Sequence, residues 1–196
     1  MVGAEGAPTI ADVRAAAARI APCVRRTSVV HSAQVNALCD AKAMLKCEHL
    51  QHTGVFKYRG ATNAVQSLTD AQAAQGVATY SSGNHGQALA MAARVRGVRC
   101  HVVMPHNGVT VKLDAVRAQG AIVHLCEPHH GSPRGGTGAG PDGHWRAAVH
   151  PFEARVIAGQ ETAVLELLTD HPDLGSRHDP GRRRRYVSTV LGQNDL

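Results

Sequence analysis

The order of apolar runs along this 196-residue chain predicts an α/β fold, a parallel sheet with crossover helices. Three observations carry that expectation. From Thr69 onward, strand-length apolar runs at 77–80, 100–104 and 121–125 alternate with helix-length stretches at 85–96 and 111–119. Pro105 and Gly120 punctuate the alternation, one closing a strand and the other a helix. A glycine-containing loop of small residues, Ser81-Ser82-Gly83-Asn84-His85-Gly86-Gln87, falls where a strand hands over to a helix.

Taken in order, Thr9-Ile10-Ala11-Asp12 is a capping box leading into an alanine-rich helix over 13–20, expected to pack over the edge of the core. Arg25-Arg26-Thr27-Ser28 breaks that pattern, and residues 33–38 form a second, short helix. Residues 43–47 mix apolar and polar side chains like a strand with one buried face. After the loop Gly54-Val55-Phe56-Lys57-Tyr58-Arg59-Gly60, the residues Ala61, Ala64, Val65 and Leu68 recur at helical spacing.

Two stretches carry chemistry. Lys57 sits behind a glycine turn and an aromatic ring at the mouth of a helix, the setting in which an amine can be partly desolvated and attack a carbonyl. A lysine chosen at random is more often a surface residue beside a helix end. The second stretch lifts Lys57 above that reading, because the 81–87 loop points backbone N–H groups at an anion, a cradle for a carboxylate or a phosphate.

The strings Lys46-Cys47-Glu48-His49-Leu50-Gln51-His52-Thr53-Gly54-Val55-Phe56-Lys57-Tyr58-Arg59-Gly60 and Ser81-Ser82-Gly83-Asn84-His85-Gly86-Gln87, in this order and separation, resemble the fold-type II pyridoxal-phosphate enzymes, in their threonine/serine dehydratase and serine racemase branch. The likeness covers 20–127 and returns over 149–174. It implies a tryptophan-synthase-β-like fold with pyridoxal 5'-phosphate as cofactor, serine or threonine as substrate, and homo-oligomeric full-length members. It also implies roles: Lys57 as the Schiff-base lysine, Phe56 beside the cofactor ring, Asn84 on the ring hydroxyl. Ser81, Ser82, Gly83 and His85 would hold the substrate carboxylate, with Ser82 the acid/base on the face opposite Lys57 in racemases. Val55 stands where the family usually has serine, which alters the cofactor pocket, and Glu161 stands where it has glycine. The implied layout puts 1–76 in the large domain and 77–127 in a small α/β domain, followed by an anomalous segment at 128–148, a return to the large domain at 149–174 and a basic tail at 175–196. Cysteine synthase and threonine synthase share this fold, but Phe56-Lys57-Tyr58-Arg59 and His85-Gly86-Gln87 favour the dehydratase branch.

Composition bounds the rest. The 5 cysteines form no C-x-x-C pair and read as free thiols in a reducing cytosol. No signal-like segment opens the chain and no apolar run approaches about 18 residues, so a cytoplasmic protein without membrane contact is expected. The 13 histidines lack metal-ligand spacing, and no metal is expected. The net charge of +6 rests largely on arginines 182–185, with 3% aromatics, too little for a nucleic-acid face. A basic-tailed binding protein and an unproductive gene remnant are the non-enzymatic alternatives.

Two segments depart from the rest. Residues 128–143 hold six glycines and no aliphatic side chain larger than alanine, where a crossover helix is due if the sheet is to gain its next strand. Residues 176–196 depart again. Both are consistent with family sequence read in a shifted codon frame, the arginines at 182–185 concealing glycines of a phosphate-binding loop. On that view the chain is incomplete, retains cofactor weakly and turns over little.

Overall fold

The computed structural model describes residues 7–39, 42–81, 83–127, 147–172 and 174. Ser82, the segment 128–146 and everything from 175 lie outside the described residues, and with them the expectations for a racemase acid/base and for the two frame-shifted stretches.

Helix α1 (Ile10–Ile20) starts at the expected capping box: Thr9 accepts from the Asp12 N–H, and the Asp12 carboxylate accepts from the Thr9 N–H at 2.8 Å. Its buried stripe, Val13, Ala16 and Ile20, follows helical spacing. Strand β1 (Val29–Val30), helix α2 (Ala33–Cys39) and strand β2 (Leu45–Lys46) follow. The strand expected over 43–47 is only two residues long, pairs antiparallel with β1 outside the main sheet, and turns at once into a 3-10 turn, Glu48–Leu50. Helix α3 (Lys57–Gln66) begins at Lys57. Helix α4 (Asp70–Gln75) was not read from the sequence, being a short polar surface helix whose one signal is the capping box of Thr69 with Gln72.

The main sheet follows expectation to within a residue or so. Strands β3 (Val77–Tyr80), β4 (Cys100–Pro105) and β5 (Ile122–Cys126) are parallel, joined by α5 (Asn84–Arg96) and α6 (Thr110–Ala118). A fourth strand, β6 (Ala147–Ala148), lies parallel on the other side of β3, giving the order β5-β4-β3-β6. Chain direction across the sheet therefore reverses at β3, and the crevice outside the carboxyl ends of β3 and β6 is a topological switch point, where open α/β sheets bind ligands.

Behind the sheet the helices are stacked. α5 packs on β3 and β4 and against α3; α3 in turn packs against α7 (Ala154–Asp170), which also carries α1. α3 is thus covered on several sides, and every residue from Tyr58 to Val65 is buried. One contiguous core runs through Tyr58, Val65, Val77, Leu89, Val102, Met104 and Val156, each large side chain contributing roughly 1.5–3 kcal/mol of burial. α3 and α7 touch backbone to backbone. A Cβ on Gly60 would lie 2.5 Å from the Val156 carbonyl oxygen, and one on Gly159 would lie 2.7 Å from that of Arg59.

Candidate active site

The residues singled out from sequence stand at two loop-to-helix junctions, the starts of α3 and α5. Gly54 takes φ 72°, turning the chain back so that the Phe56 and Lys57 side chains enter at the first turn of α3. The Lys57 Nζ lies 5.0 Å from the centroid of the Phe56 ring, and both residues are half-buried. At the second junction β3 ends at Tyr80, and Gly83 is the N-cap of α5, whose first residue is Asn84. The Ser81 Oγ accepts from the Gly83 N–H at 3.3 Å and the Gly86 N–H at 3.1 Å, which leaves the hydroxyl hydrogen to donate elsewhere. Gly86 allows this turn to press onto the sheet, since a Cβ there would sit 3.0 Å from Val102 Cγ1.

His85 ties the two walls together. Its Nε2 lies 3.2 Å from the Val149 carbonyl oxygen, just beyond β6, so Nε2 carries the hydrogen and donates. Burial pushes the imidazole down to about 4; the bond to Val149 opposes this, and the charges of Lys57 and His150 add to it. The positive charge of Lys57 thus reaches the His85 ring, at the start of α5. The ring is neutral, so Nδ1 is an acceptor, and it is buried with no hydrogen-bond partner among the described residues. The Thr53 Oγ1, four residues before Lys57, is a second such orphan. Both are polar atoms of the kind a ligand satisfies, and sequence reading missed Thr53 and the Val149 carbonyl, which no local motif marks.

On its other side, α3 is anchored by a group that sequence reading also missed. The Arg59 side chain is 0% exposed. Its Nε and Nη2 donate to the two Glu48 carboxylate oxygens at 2.8 and 2.9 Å, and its Nη1 and Nη2 donate to those of Glu166 at 2.7 and 3.0 Å. Nη2 also reaches the Arg25 carbonyl at 3.0 Å. Lys46 Nζ pairs with Glu166 at 2.7 Å and donates to the Thr27 carbonyl at 2.7 Å, while the Thr27 hydroxyl donates to Glu48 at 2.6 Å. Burial alone would raise the Glu166 carboxyl; hydrogen bonds from Arg59 and Lys46 overcome it and hold the group below the usual carboxylate range.

The family described as "Pyridoxal-phosphate dependent enzyme" matches residues 20–182. The chain belongs to this family. Similar to it is the beta-hydroxyaspartate dehydratase of Paracoccus denitrificans, 48% identical over 163 residues that cover 82% of this chain and 51% of that protein. Among solved structures, the serine racemase of Dictyostelium discoideum superposes with a TM-score of 0.77 at 41% identity, covering 83% of this chain and 53% of that one. The maize serine racemase gives a TM-score of 0.76 at 37% identity, covering 86% and 51%. The chain spans about half the length of the curated relatives it matches. Among the described residues no helix is long and apolar enough to cross a membrane, and Cys23, Cys47, Cys100 and Cys126 are free thiols. As a member of a pyridoxal-phosphate dependent family, the chain offers a half-buried amine beside an aromatic ring and a buried, unpartnered His85 Nδ1 that feels the amine's charge, and these fit such a group.

Proposed function

We propose that this chain carries the lysine and the substrate turn of an enzyme that eliminates the β-hydroxyl of serine, threonine or a related amino acid to give a 2-oxo acid and ammonia, or that racemises serine. One observation supports this above the others: the Lys57 charge is felt by His85, which stands at the start of α5 just beyond the carboxyl end of β3. Pyridoxal phosphate, when bound, supplies an aldehyde for an amine to attach to and a conjugated ring that takes up the electron pair left by the α-proton.

The chain's residues then divide the work. Lys57 would hold the cofactor through its amine, and the same amine, when free, would move the substrate's α-proton on its own face. Phe56 would line the ring's surroundings, and Asn84, at the start of α5, would engage the ring hydroxyl. The 81–83 turn and the N-terminus of α5 hold the substrate carboxylate, favoured there by the helix dipole. His85, neutral and tethered to Val149, offers a fixed acceptor without adding positive charge beside the lysine. Ser82 returns a proton from the opposite face where the outcome is racemisation. In layout, 1–76 and 149–174 belong to the large domain and 77–127 to the small one, and the free thiols favour a cytoplasmic setting.

The test is covalent. The full chain, incubated with pyridoxal phosphate and reduced with borohydride, is expected to carry phosphopyridoxyl on Lys57 well above the exposed Lys42 and Lys112, and Lys57→Ala to lose that excess. Equal incorporation at all three lysines would sink the reading.

A further inference from the structure

We propose that Arg59, with Glu48, Glu166 and Lys46, is the device that aims Lys57 into the crevice. This rests on the reading of Lys57 given above. Helix α3 lacks the usual means of fixing its start: Phe56 at the N-cap makes no side-chain cap hydrogen bond. A positive side chain in the first turn also opposes the helix dipole, so Arg59 would be an unfavourable choice were the terminus exposed. Instead Arg59 is entirely buried, and both edges of its guanidinium fork are taken by carboxylates, one from the turn after β2 and one from α7. Two positive and two negative side chains make the cluster neutral, and the hydrogen bonds saturate the fork.

Geometry converts that anchor into aim. Successive helical residues are rotated by about 100°, so residues two apart project on roughly opposite sides of the axis. With Arg59 fixed toward Glu48 and Glu166, the first turn cannot rotate, and Lys57 is held on the far side, where His85 feels its charge. The backbone contact of Gly60 with Val156 closes the remaining freedom, sliding of α3 along α7. Arg59 touches neither substrate nor cofactor; it is a positioning residue.

Arg59→Lys keeps the charge but cannot serve two carboxylates as a planar fork. Glu166→Gln is milder and keeps the pair with Glu48, so it serves if the first variant does not fold. Two probes are applied to the full chain, with folding verified by circular dichroism. Trace acetylation with acetic anhydride, read site by site by mass spectrometry, reports the Lys57 amine's surroundings with no cofactor present. Phosphopyridoxyl incorporation reports attachment. In folded variants the Lys57-to-Lys112 acetylation ratio is expected to move severalfold and the phosphopyridoxyl ratio to fall about tenfold, as misplacement by about an ångström suffices for such losses. Folded variants of lower melting temperature but unchanged ratios would reduce Arg59 to a structural role and overturn the proposal. Altered acetylation in the variants, with wild-type Lys57 taking pyridoxal phosphate no better than Lys112, would instead overturn the function proposed for Lys57 and leave the aiming role standing.

Discussion

The two flanks of α3 are built on opposite rules. On the Arg59 side the guanidinium, the two carboxylates and the Lys46 ammonium all find charged or hydrogen-bonding partners within a few residues' width. On the Lys57 side, buried polar atoms of Thr53 and His85 have no partner among the described residues. A saturated polar cluster holds a fold in one arrangement; an unsaturated one costs stability and is retained where a ligand completes it. Thr62 on α3 is a third buried hydroxyl without a partner among the described residues, so the contrast holds for the charged Arg59 cluster and not for every polar atom beside it.

The largest expected effect breaks the saturated flank. Arg59→Met leaves two largely buried carboxylates, Glu166 with Lys46 and Glu48 with only the Thr27 hydroxyl, and a loss of about 3–5 kcal/mol is expected in urea unfolding. Second is a pH effect on the unsaturated flank. The folded pKa of His85, about 4, lies below the ordinary histidine value of 6.5, so the unfolded chain binds the proton first as pH falls. The stability is therefore complete above about pH 6.5 and is lost progressively toward pH 4, on the order of 3 kcal/mol in all. Melting curves of His85→Gln should lack that decline across the window; an identical slope in both proteins would place the sensitivity elsewhere. Glu166, held low, adds its own loss only at more acidic pH.

Third, Gly159→Ala tests the close approach that both flanks depend on. Its Cβ would meet the Arg59 carbonyl oxygen and the Asn63 Cβ, each at 2.7 Å, and overpacking of this kind costs about 1–3 kcal/mol. The smallest effect sharpens the comparison most. Thr53→Val replaces an orphan hydroxyl by a methyl group, so stability should hold or rise by up to about 1 kcal/mol while phosphopyridoxyl incorporation at Lys57 falls. A clear loss of stability would show that the hydroxyl is already satisfied.

Sequence reading found the unsaturated flank far better than the saturated one, for a physical reason. Lys57, Ser81, Gly83, Asn84 and His85 lie in or directly after two short loops whose small residues and glycines announce themselves locally. The Arg59 cluster has no such signature, because its partners stand 11 and 107 positions away and each alone looks like a surface charge. The same holds for β6, identifiable only by its pairing with β3, and for β1, a two-residue ribbon too short for any alternation to show. α4 was missed because a six-residue polar helix buries nothing and so has no apolar period.

The reach of that cluster has a consequence for synthesis. As the chain leaves a ribosome, the amine at position 57 emerges well before the carboxylate of Glu166, 107 positions beyond Arg59, and before the carbonyl of Val149. The His85 tether can form once Val149 has been made, but the Arg59 anchor waits until α7 has been translated. A nascent chain therefore presents an ordinary solvated lysine, and the surroundings proposed to make its amine selective form only after long-range closure, the slow class of folding event.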